Sequence, residues 1–368
     1  MCYALGKISN GLFTEFLGGR RMFLVGMFAS VLCSIAFGFA SGALAFTLIW
    51  MLNRYVQSTG WVALVKITSR WIPVQRHATV MGFLSMSYLI GDALTRWYLG
   101  EAISWGAGWR GVFLISAATL AVVALVSVFT LKSSPHDVGL QEPAANPANV
   151  FGEQGEQPRP TNLKGLLGPL LTNRVFWLIS AINFGLTLLR ESFNFWVPTY
   201  LFEVGQVNAG EAAIKSLLFP LVGAVAVLVA GKLSDSMGGR HGRVLVPSLA
   251  LLVVATFALA TIPTEGKPEL ALGLICAVSF FLLGPYSFLS GVMALDIGGK
   301  QGSSTAAGLV DSAGYLGAVL SGLGIGALAE NYGWSTAFGF LAGVALVTAV
   351  IGVVYWRHHE ALMSDRGD

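Results

Sequence analysis

Charge is the scarcest property of this sequence. Its 368 residues hold 22 Lys and Arg and 19 Asp and Glu, so 11% are charged, against about 25% in a soluble domain. That is too little to wet a folded surface, which disfavours a soluble enzyme and a disordered chain. The net charge of +3 is too small to imply a nucleic-acid partner. Cysteine is scarce too. Cys2, Cys33 and Cys276 fit neither a disulfide framework nor a zinc motif. Each falls in an apolar stretch, where cysteine acts as a small hydrophobe. No metal or cofactor is expected. There is no G-x-x-x-x-G-K-S/T loop for ATP, and no His, Cys or Ser constellation recurs inside the apolar stretches, so the chain does not read as an enzyme.

What is abundant is apolar. Hydrophobic residues make up 55% of the chain and Gly contributes 45 positions, with a mean hydropathy of +0.70. Small residues let membrane helices approach closely. The composition calls for an all-α, polytopic membrane protein. A span needs about 20 mostly apolar residues. Such stretches lie near 1–17, 22–44, 46–70, 78–99, 110–132, 173–203, 210–234, 243–263, 269–297, 303–328 and 333–357.

Lys and Arg in the loops set the orientation. Arg20, Arg21, Arg70, Arg76, Lys132, Lys164, Arg174, Arg240, Arg243, Lys300 and Arg357 fall on one side, and only Arg96, Arg110, Lys215 and Lys267 on the other. The first side is therefore expected to be cytoplasmic, with the C-terminus inside, in a cytoplasmic (inner) membrane. Threading back puts Met1 outside without a signal peptide, which is unusual, so a first helix is expected to be missing. Pro135, Pro143, Pro147, Pro158 and Pro160 mark 133–172 as a cytoplasmic linker with little fixed structure. It separates a half of five spans (1–132) from a half of six (173–368).

The halves repeat one another. Gly11-Leu-Phe-Thr-Glu-Phe-Leu-Gly-Gly-Arg20 and Gly231-Lys-Leu-Ser-Asp-Ser-Met-Gly-Gly-Arg240 share Gly, an acid, Gly-Gly and Arg at one spacing. Gly108-Trp109 and Gly333-Trp334 each open the last span of a half. Glu15 and Asp235, with Arg20 and Arg240, read as a cytoplasmic latch whose acids pair with a nearby Arg when helix ends meet and lose it when they part. The bland alternative is a turn with ordinary positive-inside charges.

An ionisable group at bilayer depth costs at least about 2.5–3.5 kcal/mol and persists when it has a partner or a task. Lys7, Arg54, Asp92, Arg190 with Glu191, and Asp311 qualify. Arg190 is mid-span, and its planar guanidinium suits phosphate or carboxylate. The alternative is a permanent pair with Glu191 or Asp311. Tyr3 and Lys7 are four apart and share a helix face, although a lysine can also snorkel to an interface. Arg54, Gln57 and Trp61 form one polar face. Asp92 and Arg96 can neutralise each other at i,i+4. Asp311 can take a proton, pair with Arg190 or meet a cationic part of a substrate.

The set Tyr3-Ala-Leu-Gly-Lys7, Gln57-Ser-Thr-Gly-Trp61 with Lys66, Leu188-Leu-Arg190 with Trp196-Val-Pro-Thr-Tyr200-Leu201, Gly284-Pro285, Thr305-Ala-Ala-Gly308 and Gly314-Tyr-Leu-Gly317 resembles the major facilitator superfamily. More closely it is similar to the organophosphate:phosphate antiporters. The resemblance implies two pseudo-symmetric halves of twelve helices around a central cavity, of which about eleven are present here. It implies a secondary transporter that moves a small organic anion, an organophosphate or carboxylate, by alternating access. Inorganic phosphate or protons would be the counter-substrate, and the protein a monomer. Arg190, Lys7, Tyr3, Trp61 and Tyr315 match cavity residues of the family, and Asp311 stands where the family more often has a neutral residue. Lys66 matches a basic position of the fourth helix, which a positive-inside anchor explains equally well. The family's other arginine belongs to the first helix, and the stretch Ser85–Gly91 lacks the family's histidine. All five histidines fall in loops or termini. A non-transporting membrane sensor of a phosphorylated metabolite, or a transporter of a different solute, are the competing readings.

Overall fold

The computed structural model describes the backbone of residues 1–364, and their side chains except those of residues 92, 93, 96, 209, 323 and 359–364. Among the described residues the chain is helical and contains no strand. The helices follow the apolar stretches in order. They are α1 (Cys2–Leu17), α2 (Gly19–Phe39), α3 (Ala43–Gln57) and α4 (Thr59–Trp71), which divide one stretch at Ser58, then α5 (His77–Ser104) and α6 (Trp109–Thr130). After α7 (Leu163–Thr172) come α8 (Arg174–Glu203), α9 (Ala209–Ser216), α10 (Leu218–Ser236), α11 (Gly242–Thr261), α12 (Pro268–Ser287) and α13 (Ala294–Ser364).

Local chemistry sets the ends. Asn173 accepts from Val175 N–H and Phe176 N–H to start α8, as an N-cap asparagine does. Gly18 and Gly238, equivalent positions of the repeat, both take positive φ (+93° and +73°). Only glycine adopts that region cheaply, so each chain turns there. α13 is interrupted by Gly299 (φ +55°) and Gly333 (φ +83°), which a right-handed helix cannot accommodate. α12 runs through Pro285 into a π-helical turn at Phe288–Met293, kinked at Gly291, a recognised source of bends.

Among the described residues six stretches are long and apolar enough to cross a bilayer by length and composition: Gly19–Phe39, Trp109–Thr130, Gly210–Ser236, Gly242–Thr261, Pro268–Gly322 and Gly324–His358. α7 and α8 meet at 74° and together make a seventh. Large apolar side chains such as Leu32, Phe129, Phe257 and Val347 stand exposed, as lipid-facing residues do. The protein is a polytopic helical membrane protein.

The chain divides into two compact units. One comprises Met1–Val74, Ile90–Thr172 and Ala294–Ser312. Here α2 packs on α3, α4 and α6, and α1 on α3 and α4. Trp109 sits edge-on to Phe46 and Phe113, and Phe37 packs against both of those rings. The linker is more ordered than its composition suggested. Phe151, Leu166 and Leu170 are buried, and the side chain of Phe151 occupies the space left by the missing Cβ of Gly302. Three aliphatic or aromatic side chains are enough to anchor a segment that otherwise reads as polar.

The second unit comprises Gln75–Leu89, Asn173–Met293 and the chain from Ala313. α10, α11 and α8 pack on α12. Tyr200 and Phe338 meet at a 4.8 Å centroid separation, with Trp334 against both. Trp334 Nε1–H donates to Glu203 at 2.8 Å. An apolar cavity of about 800 Å³ lies between α8 and the later part of α13, lined by Trp177, Phe184, Leu188, Phe340 and Val347 among others, with no charged residue.

Candidate functional site

The two copies of the repeated loop perform the same task. Gly11 approaches the backbone so closely that a Cβ there would stand 2.8 Å from Ser304 O, and one at Gly231 would stand 2.6 Å from Ala78 O. Four residues on, one turn later, the acid accepts backbone N–H groups of that same neighbour. Glu15 Oε1 accepts from Ser304 N (2.6 Å) and Thr305 N (3.1 Å). Asp235 accepts from Ala78 N (3.1 Å) and Thr79 N (2.7 Å). Ala78 and Thr79 open α5, and Ser304 and Thr305 follow the reversal at Gly299, where the helix restarts. Ala78 and Thr79 are in the first turn of α5, where a carboxylate meets unpaired N–H groups and the positive end of the helix dipole.

The partners differ from the arginines that the spacing suggested. Glu15 is fully buried and its ion pair is with Lys66, also buried, whose Nζ donates as well to Lys300 O. Arg20 instead donates to Leu131 O (2.7 Å) and Val128 O (2.6 Å), the last carbonyls of α6, a favourable place for a cation. Arg240 is exposed. Lys66 is therefore a buried partner of Glu15 and not a surface anchor. The linker closes over the same turn. Lys300 pairs with Glu156 (2.9 Å) and Glu142 (3.7 Å), Glu142 also pairs with Arg70, and Val150 N donates to Ile297 O. Burial raises the Glu156 carboxyl, but the hydrogen bonds from Lys300 and Ala145 N–H outweigh it and hold it below the ordinary glutamate value.

Lys7 and Asp311 meet in the first unit. Gly308 lies against Lys7 O, where a Cβ would stand 2.2 Å away, and this approach brings Asp311, one turn later, to 2.7 Å from Lys7 Nζ. Both are buried. Asp311 therefore partners Lys7 and not Arg190. Lys7 Nζ also lies 5.2 Å from the Tyr3 ring centroid, and the Arg54 guanidinium 5.0 Å from it. Trp61 is half-buried on α4.

Arg190 belongs to the second unit. It is buried on α8, pairs with Glu191, and stacks 4.5 Å from the Tyr286 ring centroid. Tyr88 and Tyr315 are the other phenols in its electrostatic reach. Its Nε–H is buried without a hydrogen-bond partner among the described residues. Leaving such a donor unmade costs about 1–3 kcal/mol, more for a charged group. Thr187 Oγ1, three residues earlier on the same face, is likewise unpartnered among the described residues. Gly314 makes room there, since a Cβ would meet Asn183 and Thr187 at 2.5 Å.

Sequence reasoning missed Tyr88 and Tyr286. The signals were present: Tyr88 lies in the stretch noted for lacking a histidine, and Tyr286 directly follows Gly284-Pro285. His77 and His241 are buried at helix starts, and His241 Nδ1 lies 2.7 Å from Ser234 Oγ. The proposed Asp92–Arg96 pair lies outside the described side chains.

Comparison with known proteins gives one consistent result. The family model described as Major Facilitator Superfamily matches residues 1–322 and, in a second match, 216–366. A probable hexose phosphate transport protein of Chlamydia trachomatis is 26% identical over 377 residues, covering 97% of this chain and 81% of its own. A membrane sensor protein of Escherichia coli is 25% identical over 354 residues, covering 95% and 80%. The solved structure of the Escherichia coli fucose:proton symporter superposes with a TM-score of 0.73 at 14% identity, covering 96% of this chain and 88% of that one.

Proposed function

Because the chain belongs to the Major Facilitator Superfamily, we propose that it is a secondary transporter moving a small organic anion, a phosphorylated sugar in the first instance, by alternating access. The observation that carries this is Arg190. A guanidinium buried mid-helix, ringed by tyrosines and holding an unused Nε–H, has one donor that an incoming phosphate or carboxylate oxygen would satisfy. The relatives named for hexose phosphate transport support the substrate class. Inorganic phosphate or protons serve as counter-substrate. The monomer is the working unit, with its C-terminus on the cytoplasmic side of the inner membrane. The halves 1–132 and 173–368 are the moving parts. Glu15 and Asp235 hold helix starts of the opposite half, and these bonds break when that side opens.

Proteoliposomes loaded with inorganic phosphate test this. Wild type should take up labelled hexose phosphate in exchange. Arg190→Ala should abolish uptake while still inserting, and Arg190→Lys should bind at least tenfold more weakly, because the charge remains but the paired donors do not. A sensor would bind the sugar phosphate without counterflow. Equal binding by Arg190→Ala and wild type would make Arg190 a structural partner of Glu191.

A further inference from the structure

Three cations stand on apolar helices: Lys7 on α1, Arg54 in the last turn of α3 and Arg190 on α8. Lys7 is neutralised by Asp311 and Arg190 by Glu191. Arg54 is different. It lies in the last turn of α3, just before Ser58 divides the apolar stretch formed by α3 and α4. Among the described residues it makes no ion pair. Its one hydrogen bond is a long contact of 3.5 Å to Gln57 Oε1, and its side chain is exposed. An unpaired charge on an apolar helix of a membrane protein faces the bundle interior or a water-filled cavity.

The aromatic contacts say which way it faces. Arg54 and Lys7 lie over the same Tyr3 ring, at 5.0 and 5.2 Å, and Trp50 flanks Arg54 at 6.0 Å. Arg54 therefore points to the face of α1 that carries Tyr3 and Lys7, where Asp311 of α13 meets Lys7. Stacking on rings fixes a guanidinium plane while leaving its edge free to donate. Lys7, Asp311 and Arg54 together carry one uncompensated positive charge.

We propose that Arg54 is the anion anchor of this unit. It takes one acidic group of the substrate, a phosphate or carboxylate, on the free edge of its guanidinium. Tyr3 is the platform, and Lys7 stays paired to Asp311. The assignment deepens the transport reading and rests on it.

Two arms test it. In phosphate-loaded proteoliposomes, Arg54→Gln should raise the KM for hexose phosphate at least tenfold with kcat changed less than threefold. Tyr3→Leu should raise it several-fold, and should add little in the Arg54→Gln background. A KM within twofold of wild type for Arg54→Gln overturns the assignment. The second arm uses Arg54→Cys in a chain whose native cysteines are replaced by Ala. A water-soluble cationic methanethiosulfonate should react with it far faster than with Val25→Cys on α2, inorganic phosphate or hexose phosphate should slow the reaction, and the restored charge should recover binding. Reaction as slow as at Val25→Cys, or no protection by either anion, overturns the assignment even if Arg54→Gln fails to fold. If wild type neither binds nor exchanges these anions, the transport reading fails, and accessibility still decides whether Arg54 faces water.

Discussion

The loops 11–20 and 231–240 have the same backbone plan and unequal chemistry. In both, a glycine lets two helices touch and an acid receives the free amides of a helix start. Glu15 is fully buried and paired with Lys66, whose Nζ also donates to the carbonyl of Lys300, a residue the linker's Glu142 and Glu156 pair with. Asp235 is half-buried and accepts two N–H groups, with no ion pair among the described residues. The shared part is what a helix N-terminus requires. The added part surrounds only the first copy, where a longer acid reaches deeper and needs a cation to offset its desolvation. One motif thus yields a deep, charge-paired acid and a shallow, amide-bound one.

That contrast can be broken by mutation. The largest effect belongs to Glu15→Ala, which strands Lys66 in the interior. Breaking a buried pair from one side costs about 3–5 kcal/mol, so thermal unfolding in detergent should fall far below wild type. Lys66→Met combined with Glu15→Gln should recover most of that loss, since no buried charge remains. A double variant no better than Glu15→Ala would show that the pair is not what distinguishes the two loops. Gly11→Ala and Gly231→Ala come next, each costing about 1–3 kcal/mol by overpacking, with similar losses at the two sites because the approach distances are similar. Asp235→Ala should cost about 0.5–2 kcal/mol, the value of a helix cap. Equal melting-point losses for Asp235→Ala and Glu15→Ala would erase the distinction altogether.

The smallest effect is a pH dependence. The Glu156 carboxyl is held below its unfolded value, which is about 4.3. Its contribution is therefore present above that pH and is lost as pH falls through the lower folded value. Limited proteolysis of the linker should be flat from pH 7 to 5 and accelerate only in stronger acid. Glu156→Gln should remove the acid step.

The helices were legible because lipid demands long apolar runs, and each predicted stretch falls on a helix. The loop repeat was legible as spacing, and its acids, Glu15 and Asp235, both accept backbone N–H groups of a neighbouring helix. Their partners were not legible. Lys66 is 51 residues from Glu15 and Ser304 is 289 away, and no periodicity connects them. Arg20 was the obvious neighbour in sequence, but its backbone turns at Gly18 and sends it to the end of α6. Asp311 was left with three open roles, and a glycine-on-backbone approach at Gly308 chose a fourth. The linker read as unstructured because its anchors, Phe151, Leu166 and Leu170, are too few to shift its composition.

The linker's docking has a consequence in terms of effective concentration. The segment from Glu142 to Glu156 is tethered to α6 by about eleven residues, a reach of roughly 18 Å for a flexible chain. A tether that short holds the segment at millimolar local concentration beside the turn at Gly299. Contacts too weak to hold a free peptide would keep it seated most of the time, and it could lift off and reseat in every cycle without setting the pace.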